Sequence, residues 1–300
     1  MDVISGVSPR VVSIVCPVKN MSGRLRILEN WIGDLSQEPR IEVVVVHDFS
    51  DDSTGEELEL ICEKYDSVTL VQGQFGNPGS ARNAGLEICT GSWISFWDCD
   101  DEPKVQEFLV LIDKIESTKP DISFGRFNVF NENSKLITES PIWSSAMDKN
   151  LEIVGQNPGI WRVIFSRDLL KNMAFEPLRM AEDQIYIAEA IVKASKVTFY
   201  DNLIYTYFTG FDYHLTKNRL ALQDLLPAFN QTSKMIRVSK REVHPFLQLM
   251  AARQLISGLK FGNLKTRTGL IKSVIVSGLL FRPKFATTIY RSIINSKWSF

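Results

Sequence analysis

Three carboxylates stand together directly after an apolar run in SWISFWDCDDEP, residues 92–103. Asp98, Asp100 and Asp101 are close enough along the chain to repel one another, and each raises the cost of ionising the others. Two carboxylates at i, i+2 can bind one hard divalent cation, which can also bind a diphosphate. The alternative is an Asp-rich turn that caps a helix beginning at residue 104.

Other polar residues could bind a ligand or take part in catalysis. Asp48 ends the run VVVVHD, and it could cap the next helix or hydrogen-bond a nucleobase or ribose. Arg82 lies one turn into a predicted helix, where it could bind an anion or form a structural salt bridge. Glu182 and Asp183 open another predicted helix, where the dipole favours acidic residues and a carboxylate in a cleft could be a general base. His214 is a lone histidine, more often a surface or core residue than a ligand.

The first 130 residues alternate between β-branched apolar runs and helical spacing. Strands are predicted over 10–18, 41–48, 67–72 and 92–97, and helices over 23–35, 54–65 and 104–117. A further helix is predicted to start at Asn77–Pro78, because Asn can cap a helix and Pro suits its first position. This alternation predicts a mostly parallel sheet with helices on both faces. Ligands bind beyond the carboxyl ends of such strands, where Pro17–Asn20, Asp48 and Asp98–Asp101 lie.

The pattern is less regular after about residue 120. Strands are predicted in DISFGRFNVF and KLIT, and residues 140–160 are predicted to be rich in loops. A strand and a helix are predicted in IWRVIFSRDLL. A helix is predicted in AEDQIYIAEAIVKA and a strand pair in KVTFYDNLIYTYF. From about residue 217 the chain is predicted to be helical, with breaks near Gly262–Asn263 and Pro283.

The composition is that of a soluble globular protein, with 300 residues, 44% hydrophobic and 23% charged. The net charge of −1 hides an asymmetry, because nine Lys and Arg and no Asp or Glu follow Glu242, which leaves residues 1–242 with a net charge of −10. The basic, apolar C-terminal part could lie on an anionic membrane surface. Alternatively, it is a helical subdomain whose cations pair with the acidic front part.

Several classes of protein are excluded. The four cysteines have no CxxC spacing, which predicts buried, reduced thiols without a zinc site. The N-terminus does not resemble a secretion signal, and no apolar run reaches the roughly 18 residues of a membrane span. A cytoplasmic location is therefore expected. There is no GxGxxG, P-loop, HExxH or Ser/His/Asp order, and basic and aromatic residues do not interleave as in nucleic-acid-binding proteins.

Taken in order, SIVCPVKN, VVVVHDFSDDST, NPGSARNAGLEICTGSWISFWDCDDEP and AEDQIY resemble the family-2 glycosyltransferases, which have the GT-A fold. The resemblance covers roughly residues 10–215, and its most specific part is the block from Asn77 to Asp101. It implies an α/β, Rossmann-like GT-A domain over residues 1–215, with a donor half at about 10–130 and an acceptor half at about 130–215. A basic helical C-terminal region would follow over residues 216–300.

The resemblance implies roles for four residues around the nucleoside. Pro17 and Val18 would line the nucleobase pocket through their backbone. Asp48 would bond the base, commonly uracil in this family, and Arg82 would help to hold the nucleotide. The chain departs from the family at His47–Ser50, because members often have Asp-Asp-Gly-Ser where HDFS stands here.

The resemblance also implies roles around the diphosphate and the acceptor. Asp98 would contact the ribose, Cys99 would lie in the same donor-binding segment, and Asp100 would bind a Mn²⁺ or Mg²⁺ ion between the two phosphates. Asp183 would be the general base. His214 matches a region where some relatives supply a further metal ligand or a diphosphate contact.

The implied function is that of an inverting, metal-dependent hexosyl- or N-acetylhexosaminyltransferase. It would move a sugar from a nucleotide-diphospho-sugar, commonly a UDP-sugar, to a hydroxyl of a glycan or polyprenyl-linked acceptor. Such acceptors belong to capsule, exopolysaccharide or lipopolysaccharide synthesis, at the inner face of the cell membrane. A sugar nucleotidyltransferase is one alternative, although PVKNMSGR is a poor match to its Gly-rich basic loop. A non-catalytic sugar-nucleotide or glycan-binding module is the other.

Overall fold

The computed structural model describes residues 10–211 and 220–295. The chain divides into two compact units. The first contains residues up to Ile142 together with Ile160–Ala174 and Ser195–Gly210, and the second contains Trp143–Gly159, Phe175–Ala194 and the chain from Phe211 onward. The predicted domain boundary between residues 215 and 216 lies outside the described residues and stays a prediction.

The elements are as follows in chain order. They are β1 (Val12–Val18), α1 (Arg26–Leu35), β2 (Ile41–Asp48), α2 (Thr54–Cys62), β3 (Val68–Gly73), α3 (Pro78–Ile88), β4 (Trp93–Phe96), β5 (Glu102–Pro103), α4 (Val105–Thr118), β6 (Ile122–Asn131), β7 (Leu136–Glu139), α5 (Met147–Gln156), β8 (Val163–Ser166), α6 (Arg167–Leu170), α7 (Glu182–Lys193), β9 (Val197–Thr209), α8 (Leu225–Val238), α9 (His244–Phe261), α10 (Leu264–Ser277) and α11 (Pro283–Asn295). Short 3-10 helices lie at Ile160–Arg162, Ala221–Asp224, Arg241–Val243 and Leu279–Phe281.

The strands of the first unit form one mixed sheet in the order β3-β2-β1-β4-β8-β6-β9-β5, with β7 paired to β6. The pairs β1–β2, β1–β4, β2–β3 and β6–β9 are parallel. Strands β5, β7 and β8 run antiparallel to their neighbours, so the remaining six described strands point the same way. The predicted mostly parallel sheet is confirmed, and its strand–helix–strand order explains why β1, β2 and β4 end at one edge.

Helices cover both faces of the sheet, as predicted. Ile14 and Cys16 of β1 belong to the same buried cluster as the apolar residues of α1, α2 and α4. Val15 faces the opposite side, where α3 approaches so closely that a Cβ on Gly85 would lie 2.5 Å from Val15 and 2.9 Å from Val46. Gly85 is therefore required for α3 to pack against β1 and β2.

Two predictions about the less regular region are wrong. The run KVTFYDNLIYTYF is one strand, β9, and not a strand pair. The register jumps where β6 advances from Phe124 to Arg126 while β9 advances from Phe199 to Leu203. Such a bulge accommodates the extra residues around Asp201 without ending the strand. The loop-rich reading of residues 140–160 missed α5.

The second unit is mainly helical. The predicted breaks are confirmed, because α9 ends at Phe261, the Asn263 side chain caps α10 by accepting from the Thr266 N–H at 2.9 Å, and Pro283 begins α11. Phe229 and Phe285 are fully buried, with ring centroids 6.4 Å apart. In the chain as a whole all four cysteines are buried free thiols, as predicted.

Candidate functional site

The acidic cluster begins at a buried aromatic anchor. Trp97 is fully buried directly after β4, and its ring packs edge-to-face against Trp31 and Phe108 at centroid distances of 5.2 and 4.8 Å. Because Trp97 is held by the core, the chain leaves the sheet from a fixed point. Asp98 and Asp100 are partly exposed beyond it.

Strand β9 holds the acidic loop in place. The Asp101 Oδ1 accepts a hydrogen bond of 2.8 Å from the Phe208 N–H, and the Asp98 N–H donates to the Tyr205 hydroxyl at 3.0 Å. Strand β5 follows at once and pairs antiparallel with β9. Helix α4 has no side-chain cap at its N-cap residue, Lys104. Asp101 is thus bound to β9 and does not serve as the predicted alternative cap.

The loop brings three carboxyl groups together, those of Asp98, Asp100 and Asp101. Burial raises the pKa of Asp101 well above its usual range, and the neighbouring charges of Asp100 and Asp98 raise it further, against the Phe208 N–H and the Tyr205 hydroxyl. A cation beside the loop would relieve this repulsion. Carboxylate oxygens are hard ligands of the kind that Mg²⁺ and Mn²⁺ prefer.

Helix α3 supplies one cation to this loop. The Asn77 side chain caps the helix by accepting from the Ser80 N–H at 2.8 Å, and Pro78 takes the first position, both as predicted. Arg82 is only 5% exposed, and its Nη2 donates to the Asp98 Oδ1 at 2.9 Å. The predicted alternative of a structural salt bridge is therefore present, and it places a guanidinium beside the cluster.

Asp48 lies buried at the end of β2 and holds the loop that follows β3. Its Oδ1 accepts from the N–H groups of Phe75 at 2.7 Å and Gly76 at 3.0 Å, and the Lys19 Nζ donates to its Oδ2 at 3.1 Å. Asp48 therefore does not cap α2. At the start of α2, the Thr54 N–H instead donates to the Asp52 Oδ1 at 3.0 Å.

The loops after β1 and β2 are tied to each other at the same edge. Asn20 has a φ of 53°, a left-handed conformation that Asn tolerates better than most residues. Its N–H donates to the Ser50 Oγ at 2.9 Å, and its Oδ1 accepts from the Asp51 N–H at 3.0 Å. The Met21 N–H donates to the Thr54 Oγ1 at 2.7 Å. These bonds join the two loops to each other at this edge of the sheet.

Seven of the predicted site residues belong to this edge of the first unit. Pro17 and Val18 end β1, opposite residues 46 and 47 of β2. Strands β2 and β4 flank β1 and therefore lie about 10 Å apart. Asp48 ends β2, and Asp98 follows the end of β4. The residues collected here are Pro17, Val18, Asp48, Arg82, Asp98, Cys99 and Asp100.

The other two predicted residues lie elsewhere. Asp183 is in the second unit, in the first turn of α7, where its Oδ1 accepts from the Gln184 N–H at 2.7 Å. The neighbouring Glu182 is buried. His214 lies outside the described residues, and its role stays a prediction.

Two residues at the site were not singled out from the sequence. Lys19 follows the first strand directly, and a cation at a strand end rich in carboxylates is a signal that could have identified it. Tyr205 had no such signal, because only the pairing of β5 with β9 brings its hydroxyl to the acidic loop.

The sequence matches the model of the family described as glycosyl transferase family 2 over residues 13–179. The match covers more than half of the chain, so the chain belongs to glycosyl transferase family 2. The poly(ribitol-phosphate) beta-glucosyltransferase of Bacillus spizizenii is 25% identical over 251 residues, which cover 80% of this chain and 39% of that protein. Across three curated relatives the chain spans 30%, 39% and 60% of the relative's length.

Two solved structures share the fold. Residues 1–349 of S. aureus TarS, in complex with UDP-GlcNAc, align with a TM-score of 0.71 at 19% identity, covering 94% of this chain and 85% of that one. The mannosyltransferase PcManGT from Pyrobaculum calidifontis, in complex with GDP-Man and Mn²⁺, aligns with a TM-score of 0.57 at 16% identity, covering 98% and 90%. The predicted GT-A fold and the predicted membership of glycosyl transferase family 2 are confirmed.

Proposed function

We propose that this chain transfers a hexosyl or N-acetylhexosaminyl group from a UDP-sugar to a hydroxyl of a glycan or polyprenyl-linked acceptor in surface polysaccharide synthesis. The observation that carries the proposal is the Asp98–Asp101 loop, fixed beside the ends of β1 and β2 and joined to Arg82 at 2.9 Å. Supporting it, the TarS neighbour binds UDP-GlcNAc, and a relative is named for glucosylating poly(ribitol phosphate).

The nucleoside would bind across the ends of β1 and β2. The backbone of Pro17 and Val18 would form one wall of the base pocket. Three donors make four contacts with the roughly four acceptor positions of the Asp48 carboxylate, because the Gly76 N–H is shared between Oδ1 at 3.0 Å and Oδ2 at 3.1 Å. With the Gly76 N–H on one oxygen alone, Asp48 would accept a hydrogen bond from a base N–H. The Lys19 ammonium, 3.1 Å from Oδ2, would help to hold the same carboxylate in position.

The diphosphate would bind at the acidic loop through a divalent cation. In residues 10–211 and 220–295, no group of three or more His, Cys, Asp and Glu side chains could by itself hold a metal ion. That agrees with Mg²⁺ and Mn²⁺ sites that use one or two carboxylates and take their other ligands from substrate phosphates. Asp100 would hold the ion, while Asp98, oriented by Arg82, would contact the ribose. When bound, the cation neutralises the charge that develops on the leaving diphosphate.

The acceptor step needs a base on the opposite side of the sugar. Asp183 would accept the proton of the acceptor hydroxyl as its oxygen attacks the anomeric carbon. Displacement of the nucleoside diphosphate by one in-line attack inverts the configuration at that carbon. Proton transfer by a positioned side chain contributes typically 10²–10⁴-fold to the rate.

Replacement of Asp183 by Asn separates an enzyme from a binding module. The variant should bind UDP as the wild type does and lose turnover by about 10²–10⁴-fold. Asp148→Asn is the matched control, because Asp148 also lies in the first turn of a helix of the second unit, α5, and is exposed. Full turnover in Asp183→Asn would exclude Asp183 as the base. A wild-type protein that binds UDP but transfers no sugar to any acceptor tested would favour the binding-module alternative.

A further inference from the structure

Helix α10 has a buried face and an exposed face, and the exposed face also carries apolar side chains. Its inward face carries Thr266, Leu270 and Val274, which are buried where the helix packs on α8 and α9. The outward face carries Leu264 and Ile275, which are 77% and 69% exposed, with Ile271 between them. At 3.6 residues per turn, these three aliphatic side chains lie within about 40° of one another. The solvent side of the helix therefore bears a continuous apolar row.

Two further apolar side chains are exposed just after α10. In the 3-10 helix that follows, Leu280 is 51% and Phe281 91% exposed. We define the α10 surface as these two residues with the aliphatic row, namely Leu264, Ile271, Ile275, Leu280 and Phe281. Exposed apolar side chains that cluster on one part of a protein surface mark interaction sites.

Cations border the α10 surface on both sides. Lys265 and Lys272 lie about 80–100° around the helix from Leu264 in one direction, and Arg267 lies about 60° in the other. All three are exposed, and Arg282 directly follows the apolar Phe281. No acidic residue follows position 242 in the sequence, so nothing on these segments neutralises them.

We infer that the α10 surface docks on an anionic lipid bilayer, with the apolar row entering the headgroup boundary. The aliphatic stems of Lys and Arg let their charges reach lipid phosphates while the row inserts. No helix among the described residues is long and apolar enough to cross a membrane. A twofold contact with a second copy is disfavoured, because it would set the same cations against each other.

This inference goes beyond the proposed function, and it is tested without nucleotide or turnover. The full chain is sedimented with vesicles of phosphatidylcholine alone or with 30 mol% phosphatidylglycerol. Binding is expected only to the anionic vesicles, and it should weaken at high salt, because a shorter Debye length screens the cations. Two double variants, Ile275→Ser with Phe281→Ser and Lys265→Glu with Lys272→Glu, should each lower the partition coefficient by at least about tenfold.

Matched changes elsewhere provide the controls. Leu60→Ser removes a 64% exposed side chain from α2, and Lys149→Glu reverses an exposed charge on α5. Both should bind vesicles as the wild type does. Wild-type binding by the α10 variants, equal loss in the controls, or no binding of the wild type to anionic vesicles would each overturn the inference. So would a dimer in sedimentation velocity that Ile275→Ser dissociates while vesicle binding persists.

Discussion

Replacing Arg82 by Met and Asp98 by Asn, singly and together, measures how strongly the ion pair joins α3 to the acidic loop. Arg82 is 5% exposed, and the Asp98 side chain is 30% exposed. Breaking a fully buried pair costs about 3–5 kcal/mol, whereas a charged hydrogen bond contributes about 1.5–3 kcal/mol. Because Asp98 is partly solvated, a coupling energy of about 1–3 kcal/mol is expected.

The two single variants should not cost the same. Without Arg82, the three carboxylates at positions 98, 100 and 101 lose a neighbouring cation, and their mutual repulsion opposes folding. Asp98→Asn keeps a side-chain oxygen that can still accept a hydrogen bond from the Arg82 Nη2–H. Arg82→Met is therefore expected to lower the free energy of unfolding more than Asp98→Asn.

Urea unfolding at pH 7 gives the four free energies of this double-mutant cycle. The control cycle uses Lys171→Met and Asp168→Asn, an ion pair of 2.7 Å whose side chains are 68% and 85% exposed. The control coupling should be much smaller, because both of its side chains are largely solvated. A coupling energy as small for the Arg82 pair, or a larger cost for Asp98→Asn than for Arg82→Met, would refute the reasoning.

Three further substitutions test the frame of the site by urea unfolding. Gly85→Val should cost about 1–3 kcal/mol, because the new side chain would overlap β1 and β2. Trp161→Ala should cost about 3–5 kcal/mol, because Trp161 is buried and stacks on Tyr205 with centroids 4.7 Å apart. Glu42→Gln should cost about 1–2 kcal/mol at pH 7 and less as the pH falls towards 3.

The pH dependence of the Glu42 variant follows from its hydrogen bonds. Burial raises the pKa of Glu42, but the donors from Ser13, Thr90 and Gly91 outweigh burial and lower the pKa below its usual value. The stabilisation is therefore present above the unfolded pKa of about 4.3 and is lost as the pH falls through the folded pKa. A Glu42→Gln cost that does not shrink at pH 3 would contradict this assignment.

Exposed positions provide the controls for these variants. Glu87→Val places the same side chain as Gly85→Val on the exposed side of α3, and Glu63→Gln removes an exposed carboxylate. Both should change the free energy of unfolding by less than about 0.5 kcal/mol. A Gly85→Val variant as stable as Glu87→Val, or a cost below about 1 kcal/mol for Trp161→Ala, would show that the packing described here does not hold.

The donor side of the fold was predictable because its signals are local. The predicted bounds of β2 at residues 41–48 agree with the structure, and Asn77 and Pro78 start α3 as their side chains require. The residues at the ends of β1, β2 and β4 came together because parallel strands joined by helices end at one edge.

The features that were not predicted depend mostly on contacts between distant parts of the chain. The hydrogen bond that holds Asp101 comes from the Phe208 N–H, more than a hundred residues later in the chain. Phe208 lies in β9, in a segment of the first unit that follows a segment of the second unit in the sequence. Helix α5 was missed because its buried side includes Asn150 and Gly155, which dilute the apolar periodicity. Lys19 was not paired with Asp48 because sequence spacing does not show that two loops meet.

Thermal unfolding of the full chain with nucleoside diphosphates, with and without Mn²⁺, tests the proposed donor site most directly. A ligand that binds only the folded state adds about 2.7 kcal/mol at a hundred times its Kd. We predict a higher Tm with UDP and Mn²⁺ together, a loss of this shift in Asp100→Ala, and no loss in Asp66→Ala, an exposed control. If no nucleoside diphosphate raises the Tm with or without Mn²⁺, or if Asp100→Ala responds as the wild type does, the donor site proposed at the end of β4 is contradicted.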